Sequence, residues 1–377
     1  MSCRGLNHDY MSTHKKAFVA DMHCDTVLRM MKGFDIASDD TSSHMGIPRM
    51  QQGGIDLQVF ACWLDTDTPV EQCRSTVDEM IDTLEAQISR NPESIALCHS
   101  ADEAEKNEAG GKISAVLAIE NGVAIANDLA NLDHFYNRGI RYMTLTHTAS
   151  NDWCISSADT NQAFHGLTDF GRDVIKKMNK LGMIVDVSHA SVSAFEEVMK
   201  ITTDPVIASH SCVYNLCPHD RNLTDEQIKV IAKNGGLIGI NFYNGYLSTR
   251  WMEVDDSIDT FYSDEIDEAY RLYPISRKKR KEFIPHVYKA WREAIAKVEV
   301  NVGTVVDHID YIVKLVGPDY VGLGSDYDGV HRLPDGLDDC SMVPNITAEL
   351  LLRGYSEGDI RKILGGNFRR VFKQVCG

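Results

Sequence analysis

Short apolar runs alternate with amphipathic stretches along most of the chain, and that alternation leaves few folds open. Eight runs read as strands, over residues 17–25, 55–65, 113–120, 140–147, 183–189, 205–211, 237–243 and 320–326. The segments between them carry helical signals. Residues 70–89 place Val77, Met80, Ile81, Leu84 and Ile88 on one helical face. Residues 167–181 stop at Gly182, a residue suited to a helix C-terminus. Thr224 stands three residues before Gln227, the spacing of a capping box. Residues 302–316 stop at Gly317-Pro318, and the last helices span residues 344–372. Strands separated by helices must run parallel. Eight of them predict fold class α/β and a closed (β/α)8 TIM barrel rather than an open sheet. Residues 95–98 read either as an extra edge strand or as the approach to a helix.

A barrel can run well past 250 residues as one unit, so residues 1–377 are expected to form a single domain. Residues 244–301 are long for one connection. They are acidic first (Glu253, Asp255, Asp256, Asp259, Asp264, Glu265) and basic later (Arg277 to Arg280). They follow the seventh strand, so they are expected to be a helical insertion on the face where barrels build active sites. Its role is open between a lid, a dimer contact and a solvated insertion.

Charge and composition exclude several classes. The chain has 38 basic and 55 acidic residues, a formal net charge of −17, which argues against a nucleic-acid or anionic-membrane partner. Its ten cysteines form no CxxC pair and are scattered, which predicts reduced, buried thiols of a cytoplasmic protein. The first 18 residues lack the apolar core of a signal peptide, and no run of 18 apolar residues is long enough to span a membrane. No P-loop, GxSxG or HExxH pattern occurs.

What remains is a set of polar residues at strand ends. His23, Asp25, Glu120, His147, His189, His210 and Asp326 all fall at or just past the C-terminal ends of different predicted strands. In a barrel those ends converge on one face. Imidazole nitrogens and carboxylate oxygens together suit a zinc ion. Each residue alone has a plainer reading. His23 and Asp25 could cap a strand, Glu120 could pair with an arginine, and His189 or His210 could be a satisfied rim histidine. A carboxylate that closes an apolar run is costly to bury unless a cation meets it. His219 and Asp220 read as solvated loop residues. Either Asp326 or Asp328 could serve the site, with Asp326 nearer the strand end and Asp328 readable as a turn with Gly329.

Several motifs then line up in order: HCD at 23–25, IENG at 119–122, LTHTASN at 145–151, VDVSHAS at 185–191, SHS at 209–211, RNLTDEQI at 221–228, GLGSDYDG at 322–329 and GGNFRRVF at 365–372. The chain resembles the membrane (renal-type) dipeptidases of the metal-dependent amidohydrolase superfamily, over nearly its whole length. The resemblance implies two Zn2+ per chain, one held by His23, Asp25 and Glu120 and the other by Glu120, His189 and His210, with Glu120 bridging. It implies His147 and Arg221 as a substrate-binding pair and Asp326 as the proton-handling carboxylate that also faces substrate. It implies a zinc-dependent hydrolase of dipeptides, L,D pairs within the candidate set, acting through a metal-bridged hydroxide, and a homodimer. Asn121 departs from the small residue expected after the bridging Glu, and Ser188 from the expected Ala. Membrane attachment is not carried over. Two rivals stand beside this reading. One is another amide or ester hydrolase on the same centre, such as an N-acyl amino acid deacylase, a lactonase or a β-lactam hydrolase. The other is a metal-binding scaffold without activity.

Overall fold

Strands that are apolar on both faces need cover on both, and this chain closes its sheet on itself. The computed structural model describes residues 9–159, 163–273 and 277–377. Its parallel strands are β1 (Ala20–Cys24), β2 (Leu57–Trp63), β3 (Ile95–Leu97), β4 (Ile113–Glu120), β5 (Ile140–Thr144), β6 (Ile184–Asp186), β7 (Ile207–Ala208), β8 (Leu237–Ile240) and β9 (Val321–Leu323). Neighbours run β2-β1-β9-β8-β7-β6-β5-β4, and β2 also pairs with β4, which closes an eight-stranded barrel. β3 stays outside the ring. It pairs with residues 113–115 of β4, while β5 takes residues 117–120 of the same strand. Residues 95–98 are therefore an extra edge strand and not a helix approach.

Side-chain parity sorts the core into two layers. On β4, Val116 and Ala118 join an inner cluster with Met22, Val59, Tyr142, Ile184, Ile207 and Leu237. Ala115, Leu117 and Ile119 join the outer layer under the helices. Phe368, Val371 and Phe372 of the helix Asn367–Cys376 belong to the inner cluster. Glu120 shares parity with Val116 and Ala118, so it enters the barrel mouth. On β1 the register shifts between Asp21 and Cys24. Met22 lies in the inner cluster and Cys24 in the outer one, so this irregularity turns His23 inward.

Five strands end three residues before their apolar runs predict: 140–147 gives only β5, 183–189 only β6, 205–211 only β7, 237–243 only β8 and 320–326 only β9. His189 and Asp326 adopt φ of 65° and 61°, a left-handed conformation with no place in a ladder. The backbone N–H groups of Ser188 and Ser209 donate to Asp186 Oδ1 instead of to a neighbouring strand. The helices follow their signals closely: Val70–Arg90, Asp169–Leu181 closed by Gly182 at φ 76°, Asp225–Lys233 with the Thr224–Gln227 capping box, and Val302–Val316.

After β8 the chain forms the helices Asn244–Leu247, Thr249–Phe261, Ser263–Leu272, Arg277–Phe283 and Pro285–Ile295. Residues 274–276 lie outside the described residues. Trp251 packs edge-on to Trp291, and both rings meet His331 from the loop after β9. Among the described residues no helix is long and apolar enough to cross a membrane. The nine described cysteines are free thiols. Cys3 and the rest of residues 1–8 lie outside the described residues.

His308, on the helix Val302–Val316, ties two functional loops together. Its Nδ1 accepts from Val213 N at 3.0 Å, and its Nε2 donates to Leu247 O at 3.1 Å. Burial, opposed by the bond to Leu247 and by Asp307, pulls its pKa down to about 4. The unfolded chain takes up this proton near pH 6.5 and the folded chain only near 4, so stability is complete above 6.5 and falls as pH drops between the two. The expected loss is up to roughly 3 kcal/mol. Urea unfolding at pH 7 and pH 4.5 checks it: His308→Gln should flatten the pH dependence.

Candidate metal centre

One end of the barrel gathers the polar strand ends. His23 lies on β1 with Asp25 just beyond it, and Glu120 closes β4. His147, His189 and Asp326 follow three residues after β5, β6 and β9, and His210 follows two after β7. Glu120 stands at the centre and divides its oxygens. Oε2 lies 3.4 Å from His23 Nε2, which is itself 3.8 Å from Asp25 Oδ2. Oε1 lies 3.2 Å from His189 Nε2, 3.3 Å from His210 Nε2 and 3.8 Å from His147 Nε2. Three overlapping donor triplets result, each with its atoms within 4.8 Å of one another: His23, Glu120 and His210; Glu120, His147 and His189; His23, Asp25 and Asp326.

Hydrogen bonds behind the histidines decide which nitrogen faces the centre. The Tyr142 hydroxyl donates to Met22 O at 2.8 Å, so it accepts from His23 Nδ1 at 2.8 Å. The Ser209 hydroxyl donates to Asp186 Oδ2 at 2.6 Å and accepts from His210 Nδ1 at 2.7 Å. Both imidazoles therefore keep the proton on Nδ1 and turn Nε2 toward Glu120. Asp186 is fully buried and also accepts from Thr144 Oγ1 at 2.5 Å, so it anchors β5, β6 and the residues after β7 around the centre. Tyr142, Asp186 and Ser209 are absent from the sequence-derived site. Asp186 carried the same signal as Glu120, a carboxylate closing an apolar run.

These donors fit divalent cations. Asp25 and Glu120 are buried with no Lys or Arg paired to them among the described residues. His23 Nε2 and Asp25 Oδ1 are buried without a hydrogen-bond partner. His189 Nε2 and His210 Nε2 lie 3.0 Å apart, a hydrogen bond when His189 Nε2 carries the proton, and His189 Nδ1 is then buried without a partner. Protonation shows the same demand for charge. Burial disfavours a charged His23, but Glu120 and Asp25 override it and raise its pKa to about 10. Burial pushes up Asp25, with Glu120 adding to the shift. Burial works against ionised Glu120, but His23 and His147 hold its pKa well below the ordinary carboxylate value. Burial lowers His189 and His210, which keeps them in the neutral form that ligates metals.

The remaining candidates line one cavity of about 420 Å³ over the centre. His147 is partly exposed there, with Trp63 edge-on to its ring. Arg221 is buried, donates from Nη2 to His210 O at 3.0 Å and stacks over Tyr246 at 5.5 Å. Asp326 Oδ2 accepts from Asn241 Nδ2 at 2.9 Å. Asp328 faces away and braces the loop after β1, accepting from Thr26 Oγ1, Ser43 Oγ and His44 N at 2.6–2.9 Å. Of the two aspartates, Asp326 is the one whose carboxylate joins the donor cluster with His23 and Asp25. Gly329 must be glycine, since a Cβ there would lie 2.1 Å from Asp25 Oδ2 and 2.2 Å from Asp326 Oδ1. Asn121 tolerates its φ of 87° because its amide donates to Leu64 O and Thr66 Oγ1. Ser188 Oγ accepts from His210 N at 3.1 Å. His219 supports Arg221 N through Nδ1, and Asp220 is exposed.

Tyr142→Phe keeps the ring and removes the acceptor behind His23. Metal affinity is expected to fall about 10- to 100-fold, as is typical when a ligand's outer partner is lost. Calorimetric titration of metal-free protein measures it directly.

Comparison with known proteins adds to this geometry. A family model described as membrane dipeptidase, peptidase family M19, matches residues 9–376. Mouse (Mus musculus) Dipeptidase 3 is 29% identical over 367 residues, which cover 95% of this chain and 64% of the mouse protein. The probable dipeptidase PvdM from Pseudomonas aeruginosa superposes with a TM-score of 0.87 at 26% identity, covering 100% of this chain and 99% of that one. A Rhodobacter sphaeroides metallopeptidase, solved with a phosphinate mimic of L-Ala-D-Ala, shares the fold with a TM-score of 0.77 at 23% identity, covering 95% and 99% of the two chains.

Proposed function

The chain belongs to the membrane dipeptidase family, and from that premise we propose that it is a two-zinc dipeptidase that hydrolyses dipeptides to free amino acids. The observation that carries this reading is the division of Glu120, one oxygen toward His23 and the other toward His189 and His210. His23, Asp25 and Glu120 would hold one ion, and Glu120, His189 and His210 the other. Ions held there would polarise a carbonyl and lower the pKa of a bound water to about 7.

The chain supplies the rest. Burial lowers the pKa of His147 against the pull of Glu120, so its ring is neutral and can donate a hydrogen bond where negative charge develops on the carbonyl oxygen. Asp326, with one oxygen held by Asn241, takes a proton and returns it to the leaving amine. Arg221 grips the terminal carboxylate of the substrate. Its fork is preset by His210 O and the Tyr246 ring. A clamp on the carboxylate and a centre for the amino end leave room for one peptide bond between them. The helices over residues 244–295 would act as a lid above the cavity, whose wall includes Tyr243 and Tyr246. A cytoplasmic location, with which the nine described free thiols agree, and a homodimer belong to the same reading.

Zinc-reconstituted protein should cleave a panel of Xaa-Yaa dipeptides and leave tripeptides intact. Faster turnover of N-acyl amino acids, lactones or β-lactams than of every dipeptide would transfer the centre to the rival hydrolases. No turnover of any of these would leave a scaffold.

A further inference from the structure

A second cavity, of about 460 Å³, lies on the other side of His189 and Arg221. It opens between the loops that follow β6 and β7, and it shares only those two residues with the cavity over the metal centre. Its wall carries an unusual concentration of unmet hydrogen-bonding capacity. Ser157 Oγ, Ser211 Oγ, Arg221 Nε and Asn222 Oδ1 are all buried without a partner. Ser211 is 1% exposed, and Arg221 and Asn222 are 4% exposed. Buried polar groups are rarely left unpaired in a folded protein, so four of them around one space call for an occupant that pairs with them.

The chemistry of that occupant can be read from the groups. Arg221 Nε is a donor, Asn222 Oδ1 is an acceptor, and each serine hydroxyl is both. Charge is balanced. Arg221 and the N-terminal ends of the helices Val192–Ile201 and Asp225–Lys233 supply positive potential. Glu196 and Asp220, both exposed, supply negative charge at the rim. An anionic group would be repelled by Glu196 and Asp220 and a cationic one by Arg221. A dipeptide whose carboxylate is held by Arg221 must turn its last side chain toward one wall or the other, and Arg221 itself lines this cavity.

We propose that this cavity receives the side chain of the C-terminal residue of the dipeptide and selects neutral side chains that both donate and accept hydrogen bonds, namely serine, threonine, asparagine and glutamine. The inference rests on the dipeptidase reading for the placing of the carboxylate. An apolar side chain of equal size would exclude water from the four groups without pairing them, which is the costly case.

The test is a ratio. Zinc-loaded protein is assayed on Ala-Gln against Ala-norleucine and on Ala-Ser against Ala-aminobutyrate. The polar member of each pair is expected to have a kcat/KM about tenfold higher or more. Ser157→Ala combined with Ser211→Ala should move both ratios toward one. Ratios near one in the unaltered protein, or Ala-Lys or Ala-Glu cleaved faster than Ala-Gln, overturn the inference and leave a dipeptidase standing. If no dipeptide is cleaved, the functional reading itself falls. Calorimetry then still decides the cavity: L-glutamine binding more tightly than L-norleucine supports it, and equal binding overturns it.

Discussion

Glu120→Gln is expected to abolish dipeptide hydrolysis, lowering kcat/KM by roughly four orders of magnitude or more, and to leave less than one ion bound per chain. The substitution preserves volume, and one amide oxygen survives. What it removes is the charge that serves both halves of the centre. Glu120 Oε2 faces His23, and Oε1 faces His189, His210 and His147. An amide offers one neutral oxygen and one NH2 group, so whichever way it turns, one half meets a donor where it needs a ligand. The negative charge that keeps divalent cations in a buried, low-dielectric pocket is lost as well. Metal analysis and a single-turnover assay on the purified variant check this. A variant that retains two ions and works within tenfold of the unaltered protein would dismantle the bridging assignment.

Asp326→Asn should behave differently. A decrease in kcat of about 10²- to 10⁴-fold is expected with KM little changed, because a proton carrier acts in the transition state and contributes little to ground-state binding. The structure makes the substitution mild. Asp326 Oδ2 already accepts from Asn241 Nδ2, and the asparagine oxygen can do the same. Asp326 also lies within ligand range of His23 and Asp25, which offers a second role. Metal content separates the two. Retention of both ions with loss of kcat assigns Asp326 to the proton, whereas loss of one ion together with activity assigns it to the metal.

The eight barrel strands and the helices between them were legible because each is a local pattern of a few apolar residues ended by glycine, proline or a capping residue. The cluster of polar residues at the barrel mouth was legible for a related reason. Parallel strands all end on one face, so polar residues at the ends of runs are neighbours even when hundreds of positions separate them. Glu120 illustrates this best, since parity along β4 alone aims it into the barrel. The ends of β5 to β9 were not legible. Their apolar runs continue into residues that leave the ladder, and His189 and Asp326 take left-handed backbone conformations that no apolar pattern encodes.

From its residues alone the chain determined a closed α/β barrel, the face that carries the chemistry and the identity of the groups that meet there, because these depend on local periodicity and strand direction. Only the tertiary structure decided which nitrogen of His23 and His210 is offered, since Tyr142 meets His23 from β5 and Asp186 of β6 orients the Ser209 hydroxyl that meets His210. It alone separated Asp326 from Asp328, turned His23 inward through a slip in the β1 register, and opened a second polar cavity behind Arg221. The physical reason is that hydrogen-bond partners, register slips and cavities arise from how distant segments are packed against each other, and that packing exists only once the barrel has closed.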